Sequence, residues 1–128
     1  MARPASPHPT ELELEILKIL WREGPCTVRQ VREALAPVRK LAHTSVITTM
    51  TIMVDKGYLA RDADGGTHTY RARVTARSVR RRMLSDLVRR AFGGSAGALM
   101  LHLLDSADLK EDEIKELRQR LYEKRKEG

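Results

Sequence analysis

The chain has 128 residues, 24 Lys and Arg against 17 Asp and Glu, and a formal net charge of +7. That length holds one domain, or a domain with an appendage, and the basic excess favours a polyanion or an acidic membrane surface as partner. The lone cysteine, Cys26, excludes an internal disulfide framework and suits a reducing compartment.

Residues 1–9 (MARPASPHP) are proline-rich, lack the apolar run of a secretory signal, and read as a disordered leader. The longest apolar stretch, residues 98–104 broken by His102, is far too short to span a bilayer. A soluble, cytoplasmic protein without membrane insertion is expected.

Thr10 and Glu13 form a T-x-x-E capping box ahead of a helix that sets Leu12, Ile16, Ile19 and Leu20 on one face. Gly24-Pro25 ends it. A second box, Thr27 and Gln30, opens a helix with Val28, Val31 and Leu35 inward, closed by Pro37. After the basic turn Val38-Arg39-Lys40-Leu41, a third helix is expected from Thr44 to Lys56, with Gly57 as its stop. At about 100° per residue, Val46, Met50, Met53 and Val54 point to a core. Thr44, Ile47, Thr48 and Thr51 point away from it, with Ile52 at the margin. Threonine is a mediocre helix former, so so many on one exposed face suggest contact with base edges and thymine methyls, unless they merely fill a partly buried surface.

Residues 58–64, Gly65-Gly66 and residues 67–74 read as a β-hairpin, with Thr67, Thr69, Arg71 and Arg73 on one side of the return strand. Three helices followed by a hairpin is the order of a winged helix-turn-helix. The fold expected is therefore mainly α with a small β-hairpin, the winged domain occupying residues 10–75 and a helical dimerisation region residues 76–128.

In that tail, the first helix carries Val79, Met83, Leu84, Leu87, Val88 and Ala91 as an apolar stripe. Gly93-Gly94 breaks it, Ser95 caps a short helix with Leu99 and Leu103, and Asp108 with Glu111 suggests a capping box for a last helix bearing Ile114, Leu117 and Leu121. These stripes either fold back on the winged domain or pack against a second copy, the more economical answer.

No catalytic or metal-binding constellation is visible. The four histidines are scattered, none pairs with Cys26 at metal-ligand spacing, and no glycine-rich loop precedes a helix. Neither enzymatic activity nor a cofactor is expected. Cys26, just before the second helix, is placed for a mild dipole effect favouring its thiolate, or for use as a small filler. Binding chemistry is better represented. Arg71 and Arg73 on the wing are candidates for phosphate contact. Arg29, Arg39 and Lys40 flank the reading helix, and Arg61 is a weaker candidate. Arg80, Arg81 and Arg82 also read as the solvated face of a dimer helix.

The stretches TELELEILKILWREGPCTVRQVREAL, LAHTSVITTMTIMVDKGYLAR and FGGSAGALMLHLLDSADLKEDEIKELRQRL resemble the BlaI/MecI penicillinase-repressor family. The marks are Leu20-Trp21 before Gly24-Pro25 and Thr27-Val28-Arg29, then Thr44-Ser45-Val46, Lys56-Gly57 and the FGGS junction. The resemblance implies a homodimer whose tails interlock while two winged heads read a palindromic operator in double-stranded DNA. It places Thr44, Ser45, Ile47 and Thr48 at base-reading or groove-facing positions. It also suggests a ligand-free repressor released through cleavage in a membrane sensor-protease pathway.

This chain departs from the family in three ways. Ile52 stands where relatives commonly have Arg; with Ile47 it favours thymine methyls. His102-Leu103 replaces the cleavable Asn-Phe step, so proteolytic induction does not carry over. The tail lacks the Cys-x-Cys motifs of copper-responsive relatives. The function expected is a sequence-specific DNA-binding repressor; the competing reading is a winged-helix interaction module that has lost DNA binding.

Overall fold

A computed structural model describes residues 8–128 as six helices and one two-stranded antiparallel sheet. The expected leader, apart from His8 and Pro9, lies outside the described residues. Contacts divide the chain into two compact units, the first ending at Asp86 and the second running from Leu87 to Gly128.

In the first unit, α1 (Glu11–Glu23) begins at the Thr10 box: the Thr10 hydroxyl accepts from Glu13 N–H, and Thr10 N–H donates to the Glu13 carboxylate. Each bond satisfies a donor that a helix start leaves without an intrahelical partner. The same reciprocal pair between Thr27 and Gln30 opens α2 (Val28–Leu35). α3 (His43–Asp55) starts one residue earlier than expected and ends in a Schellman arrangement. There Gly57 N–H donates to Val54 and Tyr58 N–H to Met53. Gly57 has φ +86°, a conformation that side chains disfavour.

β1 (Leu59–Asp64) pairs with β2 (Thr67–Ala72) in the register Leu59↔Ala72 to Asp64↔Thr67. The two-residue turn, Gly65-Gly66, has both φ positive, as a primed hairpin turn requires. A bridge between Cys26 and Tyr70 adds a third short segment to this wing. Trp21 Nε1–H donates to the Val74 carbonyl at 2.8 Å, tying the strand's exit to α1.

One apolar core joins these elements: Ile16, Leu17 and Leu20 of α1, Val31 and Leu35 of α2, Val46, Met50 and Met53 of α3, then Tyr58, Leu59 and Tyr70 of the wing. Val46, Met50 and Met53 are fully buried, as their spacing predicts, so the opposite face of α3 must look outward.

Helix α4 (Ala76–Ala91) begins in the first unit and ends in the second. Val79 is buried in the winged core and Met83 packs against it. His8 Nε2 lies 3.2 Å from the buried Asp86 carboxylate on this helix. In the second unit, α5 (Ala96–Ser106) is capped by Ser95, whose hydroxyl accepts from Ala98 N–H. α6 (Glu111–Glu127) does not start at the expected Asp108–Glu111 box. Residues 108–110 lie outside both helices, and Lys110 N–H donates to the Glu113 carboxylate instead. None of the helices is long and apolar enough to cross a membrane among the described residues.

Candidate nucleic-acid interface

The outward face of α3 is the centre of the candidate site. Thr44, Ser45, Ile47, Thr48, Thr51 and Ile52 are all exposed. Thr49, at the edge of the core, is different: its hydroxyl donates back to the Ser45 carbonyl at 2.9 Å, a common use of a helical hydroxyl. The exposed threonines therefore present hydroxyls and methyls to solvent from a helix anchored on its other side by three fully buried residues, Val46, Met50 and Met53.

Cations lie beside the start of α3 and on the wing. Helix α2 and the turn into α3 enclose a half-open cleft lined by Arg29, Arg32, Lys40 and His43, with Glu33 as its acid. Arg29 pairs with Glu33 at 3.1 Å, and Arg39 with Glu11 of α1 at 3.5 Å. On the wing, Arg71 Nε lies 3.2 Å from the Asp62 carboxylate. The register puts Arg71 opposite Ala60 and Thr69 opposite Asp62, so that pair is a diagonal contact across the hairpin. Arg73 and Arg61 are exposed. Exposed ion pairs of this kind are worth about 0.2–1 kcal/mol, weak enough for a phosphate to replace the carboxylate.

Two residues of the cleft escape a sequence reading. Arg32 Nε–H donates to the Leu41 carbonyl at 3.0 Å, holding the turn that delivers the chain into α3. His43 is the first residue of α3 and lines the same cleft. Only the i,i+3 spacing of Arg29 and Arg32 on a short helix signals this in the sequence.

Cys26 contributes nothing of the kind its place before α2 suggests. It is buried, its thiol donates to the Gly24 carbonyl at 3.3 Å, and burial pushes its pKa up, with Glu23 adding and Arg22 opposing. Desolvation is the largest cause and favours the neutral thiol. Among the described residues, no three His, Cys, Asp or Glu side chains gather as metal ligands.

The residues expected at a dimer contact divide into two groups. Val79 and Met83 serve the core of the winged unit, which removes Val79 from any surface. Leu84, Leu87, Leu103 and Leu121 are exposed, together with Met100, Leu101 and Leu104, at 43% to 65%. Ile114 and Leu117 are half-buried, and Leu99 is buried. Within the second unit, Met100, Leu103, Leu104, Leu109, Leu117 and Leu121 line an open apolar groove of about 770 Å³. His102 and Leu103 lie inside α5, and the His102 ring meets Phe92 edge-on at 5.9 Å.

The family model for the penicillinase repressor matches residues 9–123, which include every residue of the α3 face and the wing. The chain belongs to the penicillinase repressor family. Its relatives include the methicillin resistance regulatory protein MecI of Mammaliicoccus sciuri, 24% identical over 88% of this chain and 91% of that protein. The transcriptional regulator BlaI of Mycobacterium tuberculosis is 34% identical over 88% of this chain and 82% of that protein. Both names are those of regulatory proteins, the second of a transcriptional regulator. Among solved structures, a MarR family protein from Bacillus stearothermophilus aligns at a TM-score of 0.49 and 17% identity, covering 93% of this chain and 74% of that one.

Proposed function

We propose that this protein is a sequence-specific DNA-binding repressor that acts as a homodimer on a palindromic operator. The observation that carries this reading is the uncharged, exposed face of α3, residues 44–52, in a winged unit that also exposes the cations of the α2–α3 cleft and of the wing. A recognition helix points its first turns at base edges while its neighbours hold the backbone. Thr44, Ser45, Ile47, Thr48 and Thr51 are assigned to reading, and Arg29, Arg39, Lys40, Arg71 and Arg73 to phosphates. Family membership supports the same role, since the relatives named above are transcriptional regulators.

Dimerisation is assigned to the second unit together with the C-terminal part of α4. Leucines stand open on α4, α5 and α6, at 45% to 65% exposure, and a second copy is the economical cover for them. Two heads on one dimer require two half-sites related by a two-fold axis.

The test is a titration of the full chain with duplexes selected from a randomised pool. Enrichment of an inverted repeat, with affinity falling by orders of magnitude between low and physiological salt if roughly six phosphates are neutralised, supports the reading. A pool that enriches nothing supports instead an interaction module without DNA binding.

A further inference from the structure

From Thr44 to Val54, α3 contains only Thr, Ser, Val, Ile and Met. None of these forms the bidentate hydrogen bonds by which Arg or Lys reads guanine and Asn or Gln reads adenine. The cations near the start of the helix, Arg29, Arg39 and Lys40, precede it in the chain and are assigned above to phosphates, and Arg32 donates to the Leu41 carbonyl. What the face does offer is a stripe of hydroxyls at Thr44, Thr48 and Thr51, bracketed by two isoleucines. Ile47 is 37% exposed and Ile52 44%. Taking Thr44 as reference, they lie about 60° to one side and about 80° to the other.

Isoleucine is a poorer helix former than the straight-chain residues usual on an exposed face, and neither side chain belongs to the core. Their use here calls for an apolar partner within reach of the reading face. In the major groove the apolar feature of a base edge is the thymine 5-methyl group.

We infer that this protein selects its site chiefly through thymine methyl groups, with Ile47 and Ile52 as the specificity-determining contacts on either side of the threonine hydroxyls. The inference rests on the repressor reading above. It requires half-sites with A·T pairs at the read positions and at least one separate thymine for each isoleucine.

The experiment uses the full-length protein and the duplex it enriches from a randomised pool. That duplex is resynthesised with deoxyuridine replacing thymidine at one position at a time, which removes only the methyl group. Binding is expected to weaken about three- to tenfold at two or more positions of each half-site. Ile47→Ala should abolish the thymine preference at one of them and Ile52→Ala at another, with the salt dependence unchanged. Both variants sit on the exposed face, and their thermal melts should match the parent. An enriched duplex indifferent to uracil everywhere overturns the methyl reading and leaves the repressor reading standing. A thymine preference that survives both substitutions also overturns it, assigning the methyl contact to other residues. A pool that enriches no sequence overturns the repressor reading, and this inference with it.

Discussion

The Glu13 carboxylate accepts hydrogen bonds from the Lys56 ammonium at 2.9 and 3.1 Å and from Thr10 N–H at 2.8 Å, joining the first turn of α1 to the end of α3. Glu13 is 3% exposed, whereas the Lys56 side chain keeps 24% of its surface. The ammonium also lies at the helix end where cations are favoured. This pair therefore fixes α3 against the rest of the winged unit. Lys56→Ala leaves a buried carboxylate with one donor lost and should cost about 2–3 kcal/mol. Glu13→Gln keeps an acceptor for Thr10 and should cost about 1 kcal/mol. Urea unfolding of the two variants checks this; equal losses, or losses under about 0.5 kcal/mol, would show that the pair is energetically idle.

Alkaline pH should loosen the same unit. Burial raises the pKa of the Cys26 thiol above its ordinary 9.0 and that of the Tyr58 hydroxyl above 10.0, with Glu23 and Glu13 respectively adding to the effect. Each group holds its proton more tightly folded than unfolded, so the stability it lends is complete below the unfolded value. That contribution is lost as pH rises through the folded value. Urea midpoints should be level near neutrality and fall from about pH 9 upward. Cys26→Ala and Tyr58→Phe should each flatten that fall, and a midpoint unchanged to about pH 10.5 would contradict it.

Much of the winged unit was legible because its signals are local. The Thr10–Glu13 and Thr27–Gln30 boxes are bonds between residues three apart, and the spacing of Val46, Met50 and Met53 describes one buried face. Signals fail where the deciding contact is distant or where two local solutions compete. Arg32 reaches a carbonyl nine residues away, a contact that no periodicity encodes. At the start of α6 both Glu111 and Glu113 stand three residues after a possible cap, and the fold uses Glu113. An apolar stripe reveals that a face is buried but not by what. Val79 and Met83 share a stripe with Leu84 and Leu87, yet the first two serve the winged core and the others remain exposed.

That division makes the oligomeric state testable by position. Leu87 and Leu103 are 45% and 47% exposed within one chain, so a charge there need not disturb the monomer. Leu87→Glu and Leu103→Glu should leave helicity and the thermal transition of the winged unit in place while converting dimers to monomers, because a charge buried unpaired at a contact costs several kcal/mol. Val79→Glu, by contrast, puts a charge into the core and should unfold the winged unit. Sedimentation at micromolar concentration decides. A monomeric parent protein, or dimers that survive both exposed substitutions, would rule out the dimer assignment.

The last prediction separates sequence reading from anchoring. Thr48 lies on the exposed stripe of α3, whereas Arg71 lies on the wing and spends its guanidinium on Asp62 at 3.2 Å in the free protein. Thr48→Ala removes a hydroxyl and a methyl from the reading face, and alanine is the better helix former, so the fold should be unharmed. It should lose about 0.5–1.5 kcal/mol on the selected operator and far less on scrambled DNA, whose affinity comes from phosphates. Arg71→Ala should weaken both duplexes about equally and reduce the salt slope by roughly one. Its loss on DNA should also be smaller than for an unpaired arginine, because in the free state the carboxylate of Asp62 competes with the phosphate. Asp62→Asn tests that last step: with its competitor neutralised, Arg71 should bind both duplexes more tightly, by about two- to fivefold. The gain should vanish in the Arg71→Ala background. A gain of the same size in that background would mean that Asp62 repels DNA by itself, and a Thr48→Ala variant equally weakened on both duplexes would mean that α3 does not read sequence through this residue.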